Sequence, residues 1–191
     1  MKRIAVPYDI KPRETMSDEE AERELLRLCD ASSLSRKEIS GELFFPIVGR
    51  VFRSVIDADF RLPKDAPPSM FAAEEGFLTV LTILYSTFRF CYSDVAVDWN
   101  VEGEYVSLRL IGKRKTPLSH TVFSPTAERR ISAIARASGI ALAVSTHETD
   151  CKVCVVLPRM RAIPVSTYSA SEDLIFKCVE RALMLLPFLR K

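Results

Sequence analysis

The segment from about Ala72 to Tyr92 is the most apolar stretch of the chain, and Leu78, Leu81, Thr82, Tyr85 and Phe88 recur in it at intervals of three and four. That spacing predicts an α-helix that buries its surface against other elements, and makes it the central packed helix around which the chain is organised.

The flanking segments give it partners. Ser17-Asp18-Glu19-Glu20 is a capping box: the Ser17 hydroxyl can take a free backbone N–H, Glu20 can reach back, and three acids suit the positive end of a helix dipole. A helix is expected from there to about Cys29, with Ala21, Leu25, Leu28 and Cys29 in one stripe. A second is expected from Phe45 to Ile56, with Pro46 in its first turn, where a missing N–H costs nothing. Asp57 to Leu62 alternates like a short strand, and Pro63 with Pro67-Pro68 marks a loop.

After the central helix, Val95–Val101 and Tyr105–Ile111 read as a hairpin turning at Glu102-Gly103-Glu104. Lys113 to Ser124 reads as a loop. Ser124-Pro125 starts another helix and Gly139 closes it. Ile140–Thr146 and Cys151–Leu157 form a second hairpin around Glu148-Thr149-Asp150, and Pro158 ends it. Beyond it, Ser169-Ala170-Ser171-Glu172 is another capping box. Leu174, Ile175, Cys178, Val179, Ala182, Leu183 and Leu186 then form a wide stripe that Pro187 is expected to end. Such a face must be buried, either on its own domain or on a partner.

Helices inserted between hairpins predict an α/β (α+β) chain, a two-layer sandwich with a mixed β-sheet covered on one face by helices and extra helices at both ends. At 191 residues one domain is the default, and 48% hydrophobic with 27% charged residues is an ordinary globular composition. A net charge of +2 implies no strong polyelectrolyte partner. The apolar run after Met1-Lys2-Arg3 is too short for a secretory signal, and no apolar stretch reaches the ~20 residues of a membrane span; a cytoplasmic location and no membrane partner are expected. Five cysteines, an odd number, exclude an all-paired disulfide framework. Cys151-x-x-Cys154 has metal or redox spacing, but in a strand residues three apart point to opposite faces and no second ligand pair follows, so no metal site is assigned.

Several local strings resemble the ATP-binding domain of histidine kinases, a branch of the GHKL or Bergerat-fold ATPase superfamily, over roughly Leu43 to Pro158. Thr82-Ile83-Leu84-Tyr85-Ser86-Thr87-Phe88-Arg89-Phe90 is similar to the family's N-L-L-x-N-A-x-K-F helix with both asparagines replaced. The resemblance implies that Thr82 stands for the first asparagine, Ser86 for the one that holds magnesium, and Arg89 for the basic residue after the motif. Serine is a shorter, weaker ligand than an amide oxygen at that reach. Leu110-Ile111-Gly112-Lys113-Arg114 stands where the family has D-x-G-x-G, whose aspartate accepts the adenine amino group. Leu110 has no acceptor, and only Gly112 survives. Pro125-Thr126-Ala127-Glu128-Arg129-Arg130 stands for the glycine-rich motif, where side chains including Glu128 obstruct the approach of phosphate to backbone amides. Val153 to Pro158 resembles the family's last strand.

The resemblance therefore implies a pseudo-ATPase: a non-catalytic regulatory or protein-interaction module with no catalytic residues, no cofactor, and a degenerate pocket near Glu75, Thr82, Ser86, Arg89, Leu110, Gly112 and Glu128. Its organisation is expected as an N-terminal helical extension (1–42), the degenerate ATP-binding domain (43–158) and a C-terminal amphipathic helical extension (159–191). The expected partner is another protein or a second copy, through the C-terminal helix. The rival reading is a divergent ATP-binding signal-transduction kinase or ATPase, with ATP and magnesium held by substitutes such as Ser86 and Glu75.

Other candidates carry less. His120 and His147 lack a nucleophile partner and read as solvent-facing. Asp94 and Asp98, four apart in a strand, read as its polar side. Lys113-Arg114-Lys115 with Arg129-Arg130 and Arg159/Arg161 could form a basic surface, but without nucleic-acid motifs or interleaved aromatics they read as solvated charge, and nucleic acid is not an expected partner. Trp99 reads as a strand aromatic of the core.

Overall fold

A computed structural model describes residues 16–56, 60, 65–114, 123–146, 150–159, 169 and 171–189. In chain order the elements are α1 (Asp18–Cys29), β1 (Arg36–Ile39), α2 (Gly41–Ile56), β2 (Met70–Ala73), α3 (Glu74–Cys91), β3 (Tyr92–Glu102), β4 (Tyr105–Arg114), α4 (Pro125–Ala137), β5 (Ala141–Thr146), β6 (Asp150–Pro158) and α5 (Glu172–Leu189). The α+β sandwich expected from the sequence is the observed fold. The expected strand at 57–62 and the turn at His147 to Thr149 fall, but for Phe60, outside the described residues, as do His120 and most of the 113–124 loop.

Four strands form one sheet in the order β3-β4-β6-β5, and β1 pairs with β2 in a small second sheet that the sequence did not reveal. Every described pairing is antiparallel, where a mixed sheet was expected. The β4-α4-β5 crossover does bring β5 back parallel to β4, but one strand away. β6 fills the gap, antiparallel to both.

The inward row is read from the register. Val97 pairs with Leu110 and Leu110 with Val153, while Leu108 pairs with Val155 and Val106 with Leu157, and all are buried. A register shift between Ser93 and Ala96 interrupts the regular pairing of β3 with β4.

Helices α3 and α4 lie against this sheet, and α3 is enclosed on all sides: Phe77, Leu78, Val80, Leu81, Ile83, Leu84 and Phe88 are no more than 1% exposed. Each such side chain contributes about 1.5–3 kcal/mol relative to exposure. On one side of α3, α2 supplies an aromatic seam in which Phe44 stacks on Phe77 at 5.5 Å and Phe52 on Tyr85 at 5.4 Å, with Phe45 and Phe60 edge-on. The main contacts of α5 are with α3, α2 and α1, and buried side chains of all five helices and the large sheet join one continuous core.

The helix ends follow local chemistry, with three corrections. Ser17 caps α1 as expected, its hydroxyl accepting from Glu20 N at 3.3 Å while Ser17 N donates to Glu20 Oε2 at 2.9 Å. Ser124 caps α4, and Gly139 closes it at φ 79°. Helix α2, however, begins at Gly41, so Pro46 lies inside it; burial of Phe44 and Phe45 outweighs the one backbone bond that proline removes. The cap of α5 is Ser171, whose hydroxyl accepts from Leu174 N at 3.3 Å, not Ser169. Nor does Pro187 end α5: Leu189 is 1% exposed, and Arg130 donates to the Phe188 carbonyl at 3.1 Å. No helix among the described residues is long and apolar enough to cross a membrane.

Candidate functional site

Four of the seven candidate residues lie on α3. Glu75, Thr82 and Ser86 fall on one face at helical spacing, with Thr79 between them and Arg89 one turn beyond. The other sides of the helix are taken: Phe77, Tyr85 and Phe88 turn to aromatic rings, and Gly76 faces Ser138 at the end of α4.

Glu75 is neutralised within the protein. Its carboxylate accepts from Arg27 of α1, with Nη1 to Oε2 at 3.0 Å and a second bond from Nη2 to Oε1. Arg27 also donates to Glu24, through Nε at 3.0 Å and Nη2 at 2.9 Å, and Arg181 of α5 donates to the same Glu24 at 2.9 Å. The Glu24 side chain is only 7% exposed, so two arginines answer a carboxylate that would be costly to bury alone. Hydrogen bonds to Glu24 and then Glu75 hold the Arg27 guanidinium above its ordinary range. On α5, burial, followed by the charges of Glu75 and Glu74, pushes the Cys178 thiol up to about 12.

The hydroxyls differ among themselves. Thr79 Oγ1 donates to the Glu75 carbonyl at 2.9 Å, one turn back. Thr82, wholly buried, has no hydrogen-bond partner for its Oγ1, and the buried Ser86 Oγ has none either. Arg89 Nη1 donates to the Ile56 carbonyl at 3.0 Å and so places positive charge at the C-terminus of α2.

The two β4 candidates serve packing. Leu110 is 1% exposed between Val97 and Val153. A Cβ on Gly112 would meet Tyr92 Cβ at 2.7 Å and Phe88 Cδ1 at 3.4 Å, so glycine is required there by the stacked Phe88–Tyr92 pair. Glu128 is exposed in the first turn of α4, where Ala127 N already donates to Ser124 Oγ at 3.1 Å. The fold thus gathers Glu75, Thr82, Ser86 and Arg89 along one helix and turns Leu110 and Gly112 into the core. Glu128 stands apart, on the surface.

Sequence reading missed Glu24, Arg27 and Arg181. One signal was there: Glu24 falls three after Ala21 and four before Leu28, inside an apolar stripe where a carboxylate needs a partner. Trp99 is half-buried rather than a core aromatic, its Nε1 donating to the Asp65 carbonyl at 2.8 Å. Cys29, Cys154 and Cys178 are free thiols, and the described residues hold no group of three or more His, Cys, Asp or Glu side chains placed to bind a metal ion.

Among solved structures the chain is similar to the Acinetobacter baumannii histidine kinase AdeS, with a TM-score of 0.57 at 15% identity over 74% of this chain and 77% of that one. It also matches the cytoplasmic segment of histidine kinase QseC, with a TM-score of 0.41 at 15% identity over 76% and 96% of the two chains. No family model matches, and no curated protein matches in sequence. The likeness to AdeS shows that the chain shares a fold found in a histidine kinase, in agreement with the fold implied by the resemblance of the Thr82–Phe90 helix.

Proposed function

We propose that the chain is a non-catalytic regulatory or protein-interaction module on a histidine-kinase-type fold, in a signal-transduction setting, without nucleotide-binding capacity. The observation that carries this reading is Leu110. It sits where the resemblance asks for an adenine acceptor, and it is an apolar side chain packed between two strands. Leaving the polar edge of a base unpaired there costs about 1–3 kcal/mol, more with a lost charge. Supporting it, Glu75 and Arg89 are already engaged within the protein, and Gly112 is enclosed by Phe88 and Tyr92. Partner binding, to another protein or a second copy, would use what α5 leaves outward, where Leu174 and Phe176 are exposed.

Titration calorimetry with Mg-ATP tests the reading. No saturable heat is expected, and a dissociation constant in the low micromolar range, roughly −8 kcal/mol, would overturn it. One observation favours the divergent-ATPase reading, the unpartnered hydroxyls of Thr82 and Ser86. Under that reading Ser86→Ala weakens magnesium-dependent nucleotide binding; under ours there is none to weaken.

A further inference from the structure

We propose that α5 is a releasable latch: it opens as a unit of its own while α3 and the sheet stay folded, and the charge cluster of Glu24, Arg27, Glu75 and Arg181 sets how often it does so. The inference stands whether or not nucleotide binds.

Three observations carry it. The first is what α5 rests on. Its main contacts are with other helices, so lifting it breaks no strand pairing, and strand ladders and the aromatic seam between α2 and α3 remain intact. A helix that can leave without breaking a strand ladder can open as a cooperative unit below global unfolding.

The second is the surface beneath it. With α2 on the Phe77 side of α3 and Ser138 of α4 facing Gly76, α5 packs on α3 near Glu75, to which its Arg181 is linked through Glu24 and Arg27. Thr82 lies two turns along from Glu75, wholly buried, with an unbonded hydroxyl. Water admitted on opening restores its hydrogen bonds, which returns part of the cost of exposing Ile175, Cys178, Val179 and Leu185.

The third is the fastening. Glu24 lies almost wholly buried between Arg27 of its own helix and Arg181 of α5. Arg181 is half exposed, so its bond is the one that solvent, salt or a competing carboxylate can break without disturbing α1 or α3. Two further ties join α5 to its neighbours: Arg50 to Glu172 at 2.9 Å, exposed on both sides, and Arg130 of α4 to the Phe188 carbonyl at 3.1 Å, near the far end of the helix. The closed state therefore keeps the Thr79 and Thr82 part of the polar side of α3 from water, and opening hands it to solvent or to a ligand.

The test uses the full chain. Alkylation of Cys178 by iodoacetamide, mapped by mass spectrometry, reports exposure of the inner face of α5. Hydrogen exchange of amides in α3 and β6 reports global opening on the same samples. At ~0.05 M NaCl, Cys178 is expected to become accessible at least about tenfold more often than the β6 amides. Arg181→Ala raises Cys178 labelling about tenfold without changing β6 exchange, Arg181→Lys restores much of the difference, and ~1 M NaCl narrows the gap between variant and parent. Cys178 labelling that only keeps pace with β6 exchange, or an Arg181→Ala effect equal on both probes, would show that α5 opens only with the whole protein and overturn the proposal. Circular dichroism confirms that each variant is folded; if Arg181→Ala is not, Glu24→Gln gives the same comparison.

Discussion

The two long sides of α3 are built differently. Toward α2 the helix meets a dry aromatic seam, with Phe77 between Phe44 and Phe45 and Tyr85 between Phe52 and Phe60. On another side it presents Glu75, Thr79, Thr82 and Ser86, answered by Arg27 of α1 at Glu75, by the helix's own backbone at Thr79, and by nothing at the Thr82 and Ser86 hydroxyls. Rings in offset and edge-on contact add to burial and fix one geometry. Buried hydroxyls without partners do the reverse, costing desolvation and fixing nothing. Stability is thus concentrated on one side of the helix, and any capacity to change on the other.

The comparison can be broken most forcefully at Phe77. Phe77→Ala removes a fully buried ring shared by two aromatic contacts and is expected to cost about 3–5 kcal/mol in urea unfolding. A loss below about 1 kcal/mol would mean the seam does not hold the fold.

Next comes Gly76, which adjoins neither long side but sets how closely α4 approaches α3. A Cβ there would lie 1.8 Å from Ser138 Oγ and 3.0 Å from Ser138 Cβ. Gly76→Ala is expected to lower stability by about 1–3 kcal/mol through overpacking, read by thermal or urea midpoints. Ser138→Gly in the same chain should recover part of it, and no recovery would place the strain elsewhere.

On the polar side the effects shrink. Glu24→Ala leaves Arg181 without its partner and Arg27 with Glu75 alone, and a cost of about 1–2 kcal/mol is expected, falling at high salt. A salt-independent loss would point to packing rather than charge.

The smallest effect is the sharpest test of the difference. Thr82→Val keeps the shape of the side chain and removes a buried hydroxyl without a partner, so it should leave stability unchanged or raise it by up to about 1 kcal/mol. A clear destabilisation would show that the Thr82 hydroxyl is bonded, by water or by a ligand.

Legibility in the sequence varied with how local the cause was. Helix α1 was readable to the residue because Ser17 and Glu20 satisfy each other within one turn. The first hairpin was readable because Gly103, at φ 60°, turns it between alternating strands. The pair β1–β2 was not, since four-residue strands far apart in sequence carry too few alternations to register. The ends of α2 and α5 were misjudged for the same reason in reverse: proline argues locally for a break, while Phe44 and Leu189 gain more from burial than one lost backbone bond costs. Of the candidate site, Thr82, Ser86 and Arg89 could be placed on one helix from spacing alone. That Arg89 reaches Ile56, that Glu75 is bound to Arg27, and that Gly112 is enclosed by Tyr92 could not.

Residue type and periods of two and three to four were enough to place the five helices and the strands of the two hairpins, the central position of α3, and an apolar side chain at Leu110. The meeting of distant elements decided that β6 lies between β4 and β5, that Glu24 is buried between arginines of two helices, and that α5 packs on α3. Those outcomes depend on which surfaces meet across as many as 157 residues of chain, and no local pattern encodes the partner.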